Sequence, residues 1–309
     1  MAKNSTQRAG EATDTASARG ASKPTREPIS SVGIVARHGT REAVRTAAEL
    51  ADWLHRRDVD VSVDEAISRA RNLDQFPAFD LEKTYSLVVV LGGDGTLLSV
   101  ARSVVPGTPV LGVNLGRLGF LTEVSRPELY RCMVKVLAGA FYLQERSMFD
   151  VELHRRGRIA ARFHALNDVV IAKSALAQII ELELQVNGRQ MAEYRADGLI
   201  ISTPNGSTAY NLSAGGPIVY PTLPVAVLTP ICPHALSMRP IVVPDSEALE
   251  VTLKTQRQEV FLTVDGQEGG HLAHRDTVIV QRADVTVRLV RMADRTFYDS
   301  LRQKLNWGG

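Results

Sequence analysis

Residues 85–114 read YSLVVVLGGDGTLLSVARSVVPGTPVLGVN, and the reading of this stretch decides the fold. The run Leu87–Leu91 is short, continuous and apolar, as a strand covered on both faces of a parallel sheet must be. Glycines and a carboxylate follow it, then TLLSVARSVV with helical spacing, then a second buried strand in TPVLGVNLG. Strand, helix and strand in alternation specify a doubly wound α/β domain.

The same alternation extends upstream. SSVGIVARHG is an apolar strand with a glycine exit. TREAVRTAAELADWLHRR places Ala43, Val44, Ala47, Leu50, Ala51 and Leu54 at helical spacing, and DVDVSVD alternates like a strand. The α/β domain therefore spans 29–143. Before it, residues 1–28 carry no large aliphatic side chain after Met1. Such a segment cannot bury enough apolar area to offset its ordering entropy, and a disordered tail is expected.

Beyond Leu143 the pattern changes. RSMFDVELHRRGRIAARFHALNDVVIAKS and AQIIELELQVNGRQMAEYRADGLIIST are rich in strands, with Asn187-Gly188 as a hairpin turn between two alternating runs. ALEVTLKT, EVFLTVDGQ, TVIVQRA and VTVRLVRM continue the pattern. Residues 144–290 thus form an antiparallel β-rich domain. In the last segment, 291–309, Phe297, Leu301 and Leu305 recur every four residues, which predicts a helix packing back on the first domain.

Composition narrows the function classes. The 309 residues are 44% hydrophobic and 23% charged, and the net charge of +2 gives no bulk electrostatic ground for nucleic-acid or membrane binding. Two cysteines make no disulfide framework and point to a reducing, cytoplasmic setting. No apolar run approaches the ~20 residues that span a bilayer.

Four segments could carry chemistry. Gly92-Gly93-Asp94-Gly95-Thr96 leaves a buried strand and opens a helix, where glycine amides can approach phosphate oxygens. A carboxylate there repels a phosphate but suits a group that orients, or takes a proton from, an attacking hydroxyl. The alternative is a helix cap at Asp94. Asn114 to Leu121, NLGRLGFL, ends the next strand, either as a turn or as a wall of the phosphate site. Asn167-Asp168 precedes an apolar strand and can act as a base and ribose reader or as a turn. In Tyr194 to Pro221, a buried strand dissolves into Thr203, Ser207, Thr208 and Tyr210. Those hydroxyls would be costly if buried alone, and a polar ligand is expected to pair with them. His271 and His274 lack further ligands nearby, so no protein-held metal is expected. Val264-Asp265-Gly266-Gln267 reads as a hairpin turn.

Together, GGDGT, the NxGxxGFL element, Asn167-Asp168, DGLIISTPNGSTAYNLSAGGPI, LTPICPHALSMRPIVVP, TVDGQ and FYDSLRQKLNW resemble the NAD kinase family from about Ser31 onward. GGDGT alone is shared with lipid kinases. The long GSTAY segment is far more specific. The resemblance implies transfer of the γ-phosphate of ATP to the 2′-hydroxyl of the adenosine ribose of NAD, with a divalent cation, Mg²⁺, carried by ATP. It implies a phosphate loop at Gly92, Gly93, Gly95 and Thr96, with Asp94 as proton acceptor. It implies NAD contacts at Asp94, Gly95, Asn167, Asp168, Gln178, Arg195, Asp197, Thr208, Ala209, Tyr210, Asn211, Leu212, Ser213 and Gln267, with Asp197 toward the nicotinamide. It also implies a homodimer or homotetramer with sites at domain and subunit junctions. Two positions depart from the family pattern: Asp168 stands where Glu is common, and Asn205 where Thr is common. The competing readings are a lipid or other hydroxyl kinase with the same GGDGT, and a catalytically silent NAD(P) sensor.

Overall fold

The computed structural model describes residues 28–71, 73–116, 119–293 and 295–307. The expected tail therefore lies almost wholly outside the described residues, as do Arg117 and Leu118 of the NxGxxGFL element. The first half runs β1 (Ser31–Ala36), α1 (Arg41–His55), β2 (Asp60–Val63), α2 (Glu65–Arg71), β3 (Leu87–Leu91), α3 (Asp94–Ala101), β4 (Pro109–Asn114), β5 (Val124–Ser125) and α4 (Leu129–Leu137). Strands β4, β3, β1 and β2 lie side by side in that order, all parallel. The chain moves one way from β1 to β2 and the other way from β3 to β4. The sheet therefore switches direction between β1 and β3, and a ligand crevice is expected at their carboxyl ends. GGDGT sits at that end of β3. All five residues of β3 are buried, as the unbroken apolar run requires.

The second half contains β6 (Tyr142–Arg155), β7 (Arg158–Ala165), β8 (Asp168–Lys173), β9 (Ile180–Val186), β10 (Arg189–Ala196), β11 (Gly198–Ser202), α5 (Tyr210–Ser213), β12 (Val225–Ile231), β13 (Ile241–Pro244), β14 (Leu249–Leu253), β15 (Val260–Val264), β16 (Glu268–Leu272) and β17 (Thr277–Arg291), and the chain closes with α6 (Phe297–Leu305). Asn187 and Gly188 take φ of 50° and 71°, the turn geometry that an Asn-Gly pair favours between β9 and β10. One sheet runs β13-β12-β11-β8-β15-β16, and it faces the β10-β9-β14-β17 part of the other. Alternate side chains from both fill one core, with Ile171, Leu199 and Ile201 from the first meeting Leu182, Leu184, Val251 and Val278 from the second.

The two halves share a sheet. The early part of β17 pairs with β14 and β6, while Arg288 and Leu289 pair in parallel with Pro109 and Val110 of β4. The return of the chain end follows from this. Val290 and Met292 join the α/β core beside Cys132, and Leu301 of α6 is buried. Thr296 and Asp299 cap α6 reciprocally. Among the described residues no helix is long and apolar enough to cross a membrane.

Candidate active site

Asp94 is the first residue of α3 and Gly93 takes the N-cap position; among the described residues the Asp94 side chain bonds only to residues 120–122, so it does not cap the helix. The carboxylate turns instead to the segment after β4. Oδ2 accepts the Phe120 amide at 2.8 Å. Oδ1 accepts the amides of Leu121 (3.2 Å) and Thr122 (3.1 Å) and the Thr122 hydroxyl (3.1 Å). Thr122 Oγ1 in turn accepts from Asn114 Nδ2 and the Gly119 amide, both at 3.0 Å. The NxGxxGFL element is therefore the cradle of the carboxylate. Gly119 is needed for the approach, because a Cβ there would lie 1.7 Å from Asp94 Oδ1. A carboxylate offers about four acceptor sites. Among the described residues three donors crowd Oδ1, whereas Oδ2 holds a single amide and keeps room for another donor. Thr122 escaped the sequence reading because it stands one residue beyond the glycine pattern.

Asp265 repeats the device across the cleft. It sits in the β15–β16 turn with φ of 52°, and only 8% of it is exposed. Its carboxylate accepts the amides of Leu166 (3.0 Å), Asn167 (2.7 Å) and Asp168 (3.1 Å), and Arg102 Nη1 of the first domain lies 3.6 Å away. Burial pushes this carboxyl up, against the pull of the three amides and the guanidinium. Val264-Asp265-Gly266-Gln267 is a turn, as expected, but it also fixes Asn167-Asp168. Gln267 adds the second tie between the halves, with Nε2 donating to the Gly95 carbonyl at 2.9 Å.

Asn167 is held on every side. Its carbonyl accepts from the Thr203 amide at 2.9 Å, and its side-chain Oδ1 accepts from Asn205 Nδ2 at 2.8 Å. A Cβ at Gly206 would lie 2.1 Å from the Asn167 carbonyl oxygen, so only glycine lets the two backbones meet. Asp168 differs. It is 4% exposed, and among the described residues no side chain or amide bonds its carboxylate. Burial first, and then the neighbouring Asp265 charge, push its pKa up to about 7.

The 203–213 loop corrects one expectation. Thr203 and Ser207 are fully buried, but the protein itself pairs with them. Thr203 Oγ1 donates to the Leu166 carbonyl at 2.6 Å, and Ser207 Oγ donates to the Pro204 carbonyl at 2.7 Å and accepts from the Val219 amide at 3.0 Å. Asn211 is likewise internal: Nδ2 donates to the Ser207 and Pro217 carbonyls, and Oδ1 accepts from Thr229. A loop this tight supplies enough carbonyls of its own. The faces left toward solvent are those of Thr208, Ala209, Tyr210, Leu212 and Ser213.

The remaining expected residues lie elsewhere. In the β8–β11 ladder Asp168 faces Ser202 and Ala172 faces Gly198. Asp197 lies one residue further on, opposite Lys173, and so sits roughly 17 Å of strand away from Asp168. There it approaches Lys173 Nζ at 3.6 Å, Arg195 pairs with Glu181 across β9–β10, and exposed Gln178 is held through its amide by Gln258. The structure thus gathers Asp94, Gly95, Asn167, Asp168 and Gln267 at one end of the β8–β11 sheet, and Gln178, Arg195 and Asp197 at the other.

Similarity to known proteins runs through both halves of the chain. The ATP-NAD kinase N-terminal domain matches residues 32–141, and the ATP-NAD kinase C-terminal domain matches residues 166–292. The NAD kinase of Syntrophotalea carbinolica is 44% identical over 281 residues, covering 90% of this chain and 98% of that protein. That of Geotalea daltonii is 45% identical over 279 residues, with the same coverage. The crystal structure of yeast NADH kinase complexed with NADH superposes with a TM-score of 0.85 at 25% identity, over 92% of this chain and 89% of that one. An Archaeoglobus fulgidus NAD kinase solved with ATP shares the fold, with a TM-score of 0.68 at 23% identity, over 90% of this chain and all of that one.

Proposed function

This chain belongs to the NAD kinase family, and on that premise we propose how its site transfers the γ-phosphate of ATP to the 2′-hydroxyl of the adenosine ribose of NAD. Phosphoryl transfer needs alignment and charge neutralisation more than covalent help. The observation that supports this assignment is the half-filled Oδ2 of the Asp94 carboxylate. Oδ1 is saturated by Leu121 and Thr122, while among the described residues Oδ2 has only the Phe120 amide. Oδ2 takes the hydrogen bond of the attacking hydroxyl, orients it, and receives its proton. Gly92, Gly93, Gly95 and Thr96 face the phosphates.

Asn167 and Asp168 hold the adenosine. The Asp168 carboxylate, bare among the described residues, accepts from a ribose hydroxyl, and Asn167 is aimed by Asn205. Thr208, Ala209, Tyr210, Leu212 and Ser213 form the wall, and Asn211 keeps its shape. Gln178, Arg195 and Asp197 meet the nicotinamide end of a dinucleotide bound by a second copy of the chain, in a homodimer or homotetramer. Among the described residues no group of three or more His, Cys, Asp or Glu could cage a cation. Mg²⁺ would come in on the ATP phosphates at the glycine loop, where Asp94 could supply a carboxylate oxygen. Bound there, Mg²⁺ would neutralise the charge of the leaving diphosphate. We place the reaction in the cytoplasm, where the free thiols Cys132 and Cys232 suit a reducing setting.

The test is an acceptor and donor matrix: NAD, NADH and a diacylglycerol, each with ATP or polyphosphate. Formation of NADP is read with an NADP-specific dehydrogenase. We expect ATP-dependent NADP formation. Phosphorylation of the lipid with none of NAD or NADH would overturn the assignment in favour of a lipid kinase.

A further inference from the structure

A second cavity, of about 500 Å³, lies between the start of β6, residue Tyr220 and α6. That volume suits a small organic ligand. Its walls are aromatic, formed by Phe120, Tyr142, Tyr220, Phe297 and Tyr298. Tyr220 packs edge-on to Phe297 at 5.3 Å, and Tyr298 leans on both.

A charge without its partner lies in the same wall. Period-two alternation puts Tyr142, Gln144 and Arg146 on one face of β6. Arg146 is only 3% exposed, and among the described residues its Nε and Nη1 have no acceptor. The remaining nitrogen, Nη2, donates to Gln144 Oε1 at 2.8 Å, and that oxygen also receives Arg291 Nε at 3.3 Å. Two guanidiniums thus share one neutral amide oxygen. Glu123 pairs with Arg291, and Arg295 pairs with Glu128. Among the described residues these three cations are set against two carboxylates, and Arg146 is the one with no direct ion pair. Burial, and then Arg291, hold the Arg146 pKa below its ordinary value. A buried guanidinium normally has an anion, because taking the charge out of water without a partner is strongly unfavourable.

We propose that this cavity binds a small organic anion, a phosphate or carboxylate carried on a flat ring, with Arg146 clasping the anion and the ring packed among Tyr142, Tyr220 and Tyr298. Guanidinium is the side chain best matched to either oxyanion. The site is distinct from the Asp94 cleft. It touches the cleft's back wall, because Phe120 and Glu123 flank the stretch of backbone whose amides hold Asp94.

The experiment titrates full-length protein with inorganic phosphate and with phenyl phosphate by calorimetry, and maps amide hydrogen exchange. Phenyl phosphate should bind saturably, about tenfold tighter than inorganic phosphate. It should slow exchange at 120–122 and 142–146, and saturating NAD should not displace it. Arg146→Met should abolish the binding, and Asp94→Asn should leave it intact. Tyr298→Ala, at an exposed ring, should bring phenyl phosphate down to the affinity of inorganic phosphate without touching turnover. Absence of saturable heat, binding unchanged in Arg146→Met, or displacement by NAD would each overturn the proposal. If Arg146→Met does not fold, Tyr298→Ala and the NAD competition decide it alone.

Discussion

Asp94 and Asp265 are the same device used twice. Each carboxylate grips the amides of three consecutive residues, Phe120 to Thr122 for Asp94 and Leu166 to Asp168 for Asp265. Each thereby fixes one wall of the cleft. They differ in burial. Asp265 is 8% exposed and closed in by Arg102, so its carboxylate is part of the framework. Asp94 is partly exposed and keeps acceptor capacity on Oδ2. The same grip on three consecutive amides can thus serve architecture or chemistry, and exposure of the carboxylate tells them apart.

The largest effect should come from removing that unfilled acceptor. Asp94→Asn can keep its carbonyl oxygen toward Leu121 and Thr122, so the fold should hold and the melting temperature should move by only a few degrees. Turnover should fall by about 10²–10⁴-fold, the usual worth of a positioned acid–base group. The check is kcat for NADP formation beside a thermal melt; a variant with near wild-type kcat would refute the role of Asp94.

Asp265→Ala should invert the pattern. It strands the amides of Leu166, Asn167 and Asp168 and removes the carboxylate beside Arg102 Nη1. The expected loss is about 3–5 kcal/mol of folding stability, read by urea denaturation. Under conditions where the variant is folded, KM for NAD should rise more than kcat falls, since Asn167 and Asp168 lose their anchor. A kcat collapse at unchanged stability would erase the distinction between the two carboxylates.

The pH dependence sharpens the comparison further. Asp168 titrates near 7 in the folded protein, against 3.8 for an ordinary Asp, so the native state holds a proton that the unfolded chain has released. With the native state binding more protons, stability falls as pH rises between roughly 4 and 7, by up to about 1.4 kcal/mol per unit, and levels off above. Asp168→Asn should remove the Asp168 share of that slope and leave that of Asp265, whose carboxyl is also pushed up by burial. If the ribose needs the ionised acceptor, NAD affinity should improve through pH 7 in the wild type and stay flat in the variant. Matched denaturation and KM profiles from pH 5 to 9 test both.

Residue by residue, what could be read from the sequence follows range. Leu87–Leu91 declares a buried strand because every residue is apolar. Asn187-Gly188 declares a turn because two adjacent positive φ angles suit that pair. Asp94 stands out as a charge among glycines. Asp265 does not, because Asp-Gly in a hairpin is what turn chemistry alone would choose, and its partners lie 97–99 residues away. The inward use of Thr203, Ser207 and Asn211 was hidden for a related reason: side-chain composition cannot say whether a hydroxyl's partner is a ligand or a carbonyl of its own loop. Arg102 and Arg146 have surface-type identities and buried positions, which only the packing of two domains reveals.

Gln267 offers the finest discrimination, because it joins the two halves at the site itself. Its Nε2 donates to the Gly95 carbonyl, and its Oε1 lies 3.4 Å from Arg102 Nη2. The side chain is exposed, so a neutral hydrogen bond here contributes about 0.5–1.5 kcal/mol at most. Gln267→Ala should therefore leave stability within about 1 kcal/mol of wild type. If the bond only staples two surfaces, kcat and KM should follow that small change together. If it sets the position of Gly95 against the nucleotide, kcat should drop severalfold with stability untouched, and Gln267→Glu should not restore it, since a carboxylate cannot donate to the Gly95 carbonyl. The double variant with Asp265→Ala then separates the cases: additive losses in stability with a non-additive loss in kcat would mean that the Asp265 knot reaches the chemistry through Gln267.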